Sequence, residues 1–178
     1  MSIKAHLSAL EDDGRVTSFR APTPHSSKRA LYLTATLAEE LKNPTSNVNY
    51  HKAASDCERM MERWVAGEPM KVKLGGAGRG AMLARLDPPP SDVWELRITD
   101  PSPQFRIFCQ FVAPDILLAT YVENRAVLGE RNRGRKRSQA WSNAMYSCAN
   151  EVAELIAPHG SFTAGTIEEY VTENYYAL

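Results

Sequence analysis

Three apolar runs separated by very short connections constrain this chain more than any other feature. Val93–Thr99, Gln104–Val112 and Ile116–Glu123 are joined by "DPSP" and "APD". Connections that short permit antiparallel hairpins, so the spacing predicts a three-stranded meander. Side chains alternate across a strand, and parity therefore assigns faces. Trp94, Leu96 and Ile98 share one face with Phe105, Ile107, Cys109 and Phe111. Glu95 and Arg97 fall on the other, with Arg106, Phe108 and Gln110. On the third run Leu118, Thr120 and Val122 oppose Leu117, Ala119 and Tyr121. If helices cover the first face, the second is open, with Glu95, Arg97, Arg106 and Tyr121 as its polar members. Such a face is either a wet surface stitched by weak Glu–Arg pairs or a place to hold an anion.

The flanking pattern is helical. "RALYLTAT", Arg29–Thr36, reads as a strand. Thr36 and Glu39 have capping-box spacing at the start of a short helix stopped by Pro44. Tyr50, Ala53, Ala54, Cys57, Met60, Met61, Trp64 and Val65 repeat at i, i+3, i+4, predicting an amphipathic helix ended by Gly67. Ala81–Leu86 is a further strand or an extended lead-in. Trp141, Ala144, Met145, Cys148, Val152, Leu155 and Ile156 mark another buried helix face. Thr166 and Glu169 box the start of a last helix, expected to run on through "IEEYVTENYYAL". Strands and helices are segregated, which argues an α+β fold: a small antiparallel sheet with helices on one face and extra C-terminal helices. The expected organisation is a loop-like leader over 1–27, an α+β core over 28–137, and a helical extension over 138–178 packed on that core.

Composition excludes several classes. No apolar run approaches a membrane span, and the N-terminal stretch is too polar and acidic for a signal peptide, so a cytoplasmic location is expected. The four histidines show no metal-ligand spacing, and no metal or other cofactor is expected. Cys57, Cys109 and Cys148 form no CxxC pair and read as buried thiols. "KLGGAGRGAML" lacks the GxxxxGK[ST] phosphate loop and reads as a mobile loop carrying Lys71, Lys73 and Arg79. The neutral total hides a polarity. Lys71–Arg137 holds twelve Lys or Arg against seven Asp or Glu, whereas 138–178 holds five Glu and no Lys or Arg. Arg131, Arg133, Arg135, Lys136 and Arg137 are either a phosphate-binding cluster or a solvated linker.

"VWELRI", "QFRIFCQFV" and "ILLATYV" together resemble the sheet core of the RelE/HigB group of toxins in the RelE/ParE superfamily. The resemblance spans about Arg29–Arg137, and its specific part is the meander. It implies a RelE-like fold and a toxin of a toxin–antitoxin system, active as a metal-independent, ribosome-dependent mRNA endoribonuclease. The partners implied are mRNA on the ribosome and a cognate antitoxin protein. In such chemistry the ribose 2′-OH attacks the neighbouring phosphate and basic side chains stabilise the developing charge. By the resemblance, Arg97 and Arg106 are the arginines of the "ELR" strand and its neighbour, and Arg125 approximates the basic residue after the third strand. Tyr121 is the stacking or proton-transfer candidate, and Glu95 either a general base or an orienting partner. Lys71, Lys73, Arg79 and the Arg131–Arg137 cluster are the expected RNA contacts. The chain is longer and more neutral than the compact toxins, and the proposed face has no histidine. A non-catalytic RNA- or protein-binding member of the same fold and a gyrase-inhibiting, ParE-like toxin are the alternatives.

Overall fold

A computed structural model of the chain describes residues 1–21, 28–43, 48–75, 80–88, 91–99, 103–129 and 138–178, with backbone alone within 48–53. In chain order the elements are α1 (Ile3–Asp12), β1 (Val16–Ser18), β2 (Ala30–Thr34), α2 (Ala35–Lys42) and α3 (Val48–Val65). There follow β3 (Met70–Lys73), β4 (Leu83–Arg85), β5 (Trp94–Ile98), β6 (Phe105–Ala113) and β7 (Ile116–Asn124). The described chain closes with α4 (Gln139–Leu155), α5 (Ile167–Tyr170) and β8 (Tyr175–Ala177).

The meander is present, and β5, β6 and β7 pair antiparallel in sequence. It forms the centre of a larger sheet than the sequence pattern predicts. Eight strands run in the order β1-β2-β7-β6-β5-β4-β3-β8. The sheet is mixed, because β2 pairs parallel to β7 and β3 pairs parallel to both β4 and β8. The fold is therefore α+β as expected, but the small antiparallel sheet is corrected to an eight-stranded mixed one.

A second correction concerns cover. Trp94, Leu96, Ile98, Phe105, Ile107, Cys109 and Phe111 do share one buried face. Leu37 and Ala38 of α2 close it, with Cys57, Met61 and Trp64 of α3. Trp64 Nε1 donates to Ala30 O at 2.9 Å, which seats α3 on the start of β2. The opposite face is covered as well, rather than left open. Phe108, Val112, Ile116 and Leu118 pack there against Leu7 and Leu10 of α1 and against the predicted α4 stripe from Trp141 to Leu155. Helices thus lie on both faces. His6 Nε2 lies 2.7 Å from Leu155 O and links the two covering helices.

The leader is structured where it is described. Ser2 caps α1 by accepting from the Ala5 N–H, Leu7 is fully buried, and β1 pairs with β2. A short segment rich in charge hides its periodicity, and Leu7 and Leu10 are the buried residues of α1. Elements from all three expected segments enter one sheet, since β1 precedes residue 28 and β8 follows residue 138.

Three local expectations shift. The cap of α2 is Thr34, not Thr36, and its hydroxyl accepts from the Leu37 N–H at 3.5 Å. Lys71 and Lys73 stand on strand β3 instead of a loop, while Arg79 lies outside the described residues. The Thr166–Glu169 box forms, with the Thr166 N–H 2.9 Å from Glu169 Oε2, but α5 stops at Tyr170. The reason is aromatic. Tyr170 is fully buried with ring centroids 4.8 Å from Trp94 and 5.0 Å from Phe111, and its hydroxyl donates to Asp92. Anchored there, the chain leaves the helix and pairs with β3.

Arg29 secures that exit. Its guanidinium donates to Glu68 O at 2.7 Å, to Asn174 O at 2.7 Å and to Glu173 O, and lies 4.9 Å from the Trp64 ring. Burial pushes this guanidinium below its ordinary pKa, with Asp115 and Glu173 opposing the shift. If α1 is part of the folded core, Leu7→Ala removes about 2–5 kcal/mol of stability, the range for truncating a buried leucine. Urea unfolding followed by tryptophan fluorescence reads that loss, and an unchanged midpoint would contradict it.

Candidate functional site

The arginine face is built by register. Arg97 and Arg106 are direct partners across β5 and β6, which sets two cations side by side. Like charges placed opposite one another destabilise a sheet unless something intervenes. Glu95, two residues before Arg97 and so on the same face, intervenes. Its Oε1 accepts from Arg97 Nε at 2.7 Å and lies 2.6 Å from Arg97 Nη2. Its Oε2 lies 3.1 Å from Arg106 Nε, an ion pair without hydrogen-bond alignment. Arg106 also donates through Nη1 to Phe105 O at 2.7 Å and through Nη2 to Gln104 Oε1 at 3.4 Å.

All three side chains are buried: Glu95 is 1% exposed, Arg97 8% and Arg106 7%. Parity is confirmed and exposure is corrected. Glu95, Arg97 and Arg106 converge as expected, yet they form an internal ion-pair cluster and not an open anion site. Glu95 is placed as the partner that orients both arginines.

Tyr121 reaches the same face through a bulge. The register passes from Phe108↔Tyr121 to Cys109↔Ala119, so Thr120 has no partner on β6. Simple alternation separates Leu118 from Tyr121, but the extra residue restores both to the face that α4 covers. The Tyr121 ring lies 5.9 Å from Phe108, and its hydroxyl donates to Glu123 Oε2 at 2.7 Å. Glu123 stands directly across from Arg106.

Arg125 follows the end of β7 and is held from two sides. Its Nη1 donates to Gly129 O, and its guanidinium lies 5.6 Å from the Trp141 ring. Trp141, read from the sequence as a core residue only, is therefore also a platform for this cation. Ser138 Oγ donates to Leu128 O, and a Cβ on Gly129 would lie 3.7 Å from Ser138 Cβ. Residues 129 and 138 are thus brought together beside Arg125. The cluster Arg131, Arg133, Arg135, Lys136 and Arg137 falls between them in sequence and lies outside the described residues. Lys71 is exposed and Lys73 half-buried on β3.

The alternation pattern singled out neither Arg59 nor Arg63. They lie one turn apart on α3, next to the half-buried Met60, and line a pocket with Asp56, Met82 and residues 97–99. A helical wheel of α3 carries that signal, since positions 56, 59, 60 and 63 follow one another up the helix beside the buried stripe.

Among the described residues, no three or more His, Cys, Asp or Glu side chains cluster as metal ligands. No described helix is long and apolar enough to cross a membrane. The chain matches no family model, no curated protein and no solved structure.

The three thiols are buried as expected. Burial pushes Cys57 and Cys148 up to about 12 and raises Cys109 as well. A thiol-specific aromatic disulfide reagent should release no chromophore at pH 8 until denaturant is added, because the thiolate is the reacting species. Fast labelling of the native chain would refute this burial. Glu95→Gln leaves two buried guanidiniums without their carboxylate and should cost about 3–5 kcal/mol, the penalty for breaking a buried pair. The midpoint of chemical denaturation, compared with that of the wild-type chain, measures it.

Proposed function

We propose that this chain is a non-catalytic RNA-binding protein that holds phosphates with surface cations. The observation that carries the reading is the pinning of residues 129 and 138 beside Arg125. Those two residues flank a sequence with five cations in seven positions, Arg131–Arg137. Both flanks of that sequence are held next to a guanidinium stacked on Trp141. Phosphate contacts of this type are independent of sequence and sensitive to salt. The exposed Lys71 adds a further cation on the same chain.

What favours binding over cleavage is the state of Arg97 and Arg106. A transition-state anion is stabilised by donors that are free to meet it in the site. Here Glu95 already engages both arginines, and helices cover their face.

The second reading is the ribosome-dependent mRNA endoribonuclease of a toxin–antitoxin pair, implied by the resemblance to RelE/HigB toxins. It has a specific support. A strand, two helices and a meander follow in the expected order, with Glu95, Arg97, Arg106 and Tyr121 on one face of that meander. Under it, a protein antitoxin is the cellular partner and displacement of Glu95 precedes catalysis.

One experiment separates the two. Labelled single-stranded RNA, with and without ribosomes, is incubated with the purified chain and examined for both retention and length. The expected result is retention that weakens with salt, with the RNA intact. Arg125→Ala should make the slope of log affinity against log salt shallower by about 0.7, one phosphate contact on a single strand. Shortened RNA that is restored to full length by Arg106→Ala would replace binding with the nuclease reading.

A further inference from the structure

A pocket at the end of β5 joins Arg97 to side chains outside the Glu95 cluster. It has a volume of about 210 Å³. One wall is α3, which contributes Asp56, Arg59, Met60 and Arg63. Met82, just ahead of β4, and residues 97–99 form the remainder. The lining is mixed, with Asp56, Arg97 and Thr99 as polar members between two further groups. Met60, Met82 and Ile98 make an apolar floor, and Arg59 and Arg63 stand at the rim with side chains 65% and 39% exposed.

The rim is ordered. Arg59 Nη2 lies 2.9 Å from Oδ1 of Asp56, whose side chain is 8% exposed. Arg63 Nε lies 2.8 Å from Glu68 Oε2. A guanidinium carries five N–H donors in a fixed fork, so each ion pair fixes the fork and leaves donors for a ligand. Arg59 and Arg63 line the same pocket one helical turn apart, and guanidinium forks pair well with phosphate oxygens. Thioether sulfurs beneath them make favourable contacts with an aromatic ring and adapt to its shape.

We propose that this pocket binds one nucleotide unit of single-stranded RNA, with the phosphate on Arg59 and Arg63 and the base against Met60 and Met82. Splayed, unstacked bases are the usual target of RNA-binding surfaces that use such pockets. The inference rests on the RNA-binding reading for its biological ligand, and the pocket itself is testable without long RNA.

Adenosine 5′-monophosphate and inorganic phosphate are titrated separately into the full chain by calorimetry. The nucleotide should bind at least about tenfold more tightly than inorganic phosphate, because only it fills the apolar floor. The Arg59→Ala/Arg63→Ala double variant should weaken nucleotide binding by about tenfold or more. Both substitutions fall on exposed or half-exposed side chains, and a matching far-ultraviolet circular dichroism spectrum verifies the fold. No nucleotide binding, equal affinity for inorganic phosphate, or an unchanged affinity in the double variant each overturns the pocket. Long single-stranded RNA is measured in parallel. Absence of nucleotide binding by the wild-type chain, with salt-sensitive RNA binding present, removes the pocket and leaves the RNA-binding reading standing. Nucleotide binding with no RNA binding by the wild-type chain removes the general reading and leaves the pocket as a mononucleotide site.

Discussion

A sheet that carries apolar side chains on both faces has to be covered twice, and that requirement organises this molecule. The central strands β5 and β6 are buried almost throughout. Leucine, isoleucine and tryptophan on one side draw α2 and α3 over it; phenylalanine, valine and leucine on the other draw α1 and α4. Each face removes apolar area from water, the dominant favourable contribution to folding. The helices on the second face come from opposite ends of the described chain. They close over Phe108, Val112, Ile116 and Leu118, on the face that a one-sided sheet would have left open.

That cover changes what the arginines are for. Two guanidiniums side by side in a buried face repel one another, and each carries a large desolvation cost. Glu95 offsets both at once by reaching Arg97 with one oxygen and Arg106 with the other. Buried ion pairs contribute little net stability compared with apolar replacements, but they tolerate only one register. Sliding β5 against β6 by one residue would turn Glu95 away from Arg106. The cluster therefore fixes how the meander pairs, while chemistry directed at solvent falls to Arg125, Arg59 and Arg63 at the periphery.

Much of this was legible in the sequence, and the remainder was hidden for definable reasons. Alternation correctly grouped Trp94, Leu96 and Ile98 with Phe105 and Ile107, because that signal is local to two strands. It also grouped Arg97 with Arg106. It did not reveal their burial, because alternation reports which side chains share a face and not whether that face is covered. Strands β1, β3, β4 and β8 are three or four residues long, too short to show a period. The bulge at Thr120 puts Leu118 on the same face as Tyr121, against simple alternation, without any glycine to signal it. The Thr166 box announces a helix correctly and does not announce its end, which Tyr170 determines by inserting into an aromatic cluster beside Trp94. The candidate site shows the same division: residue types were readable, and accessibility was not.

The pairing of β3 with β8 bears on how such a chain is made. Met70 meets Tyr175 across the sheet, so on the ribosome β3 emerges about a hundred residues before the strand that will lie along it. Until then its outward row of amide and carbonyl groups has no neighbour, and exposed strand margins of this kind invite pairing with other chains. Arg29, which precedes both strands, waits with donors for the Glu173 and Asn174 carbonyls that only late synthesis supplies. During translation that margin is one that a chaperone can shield.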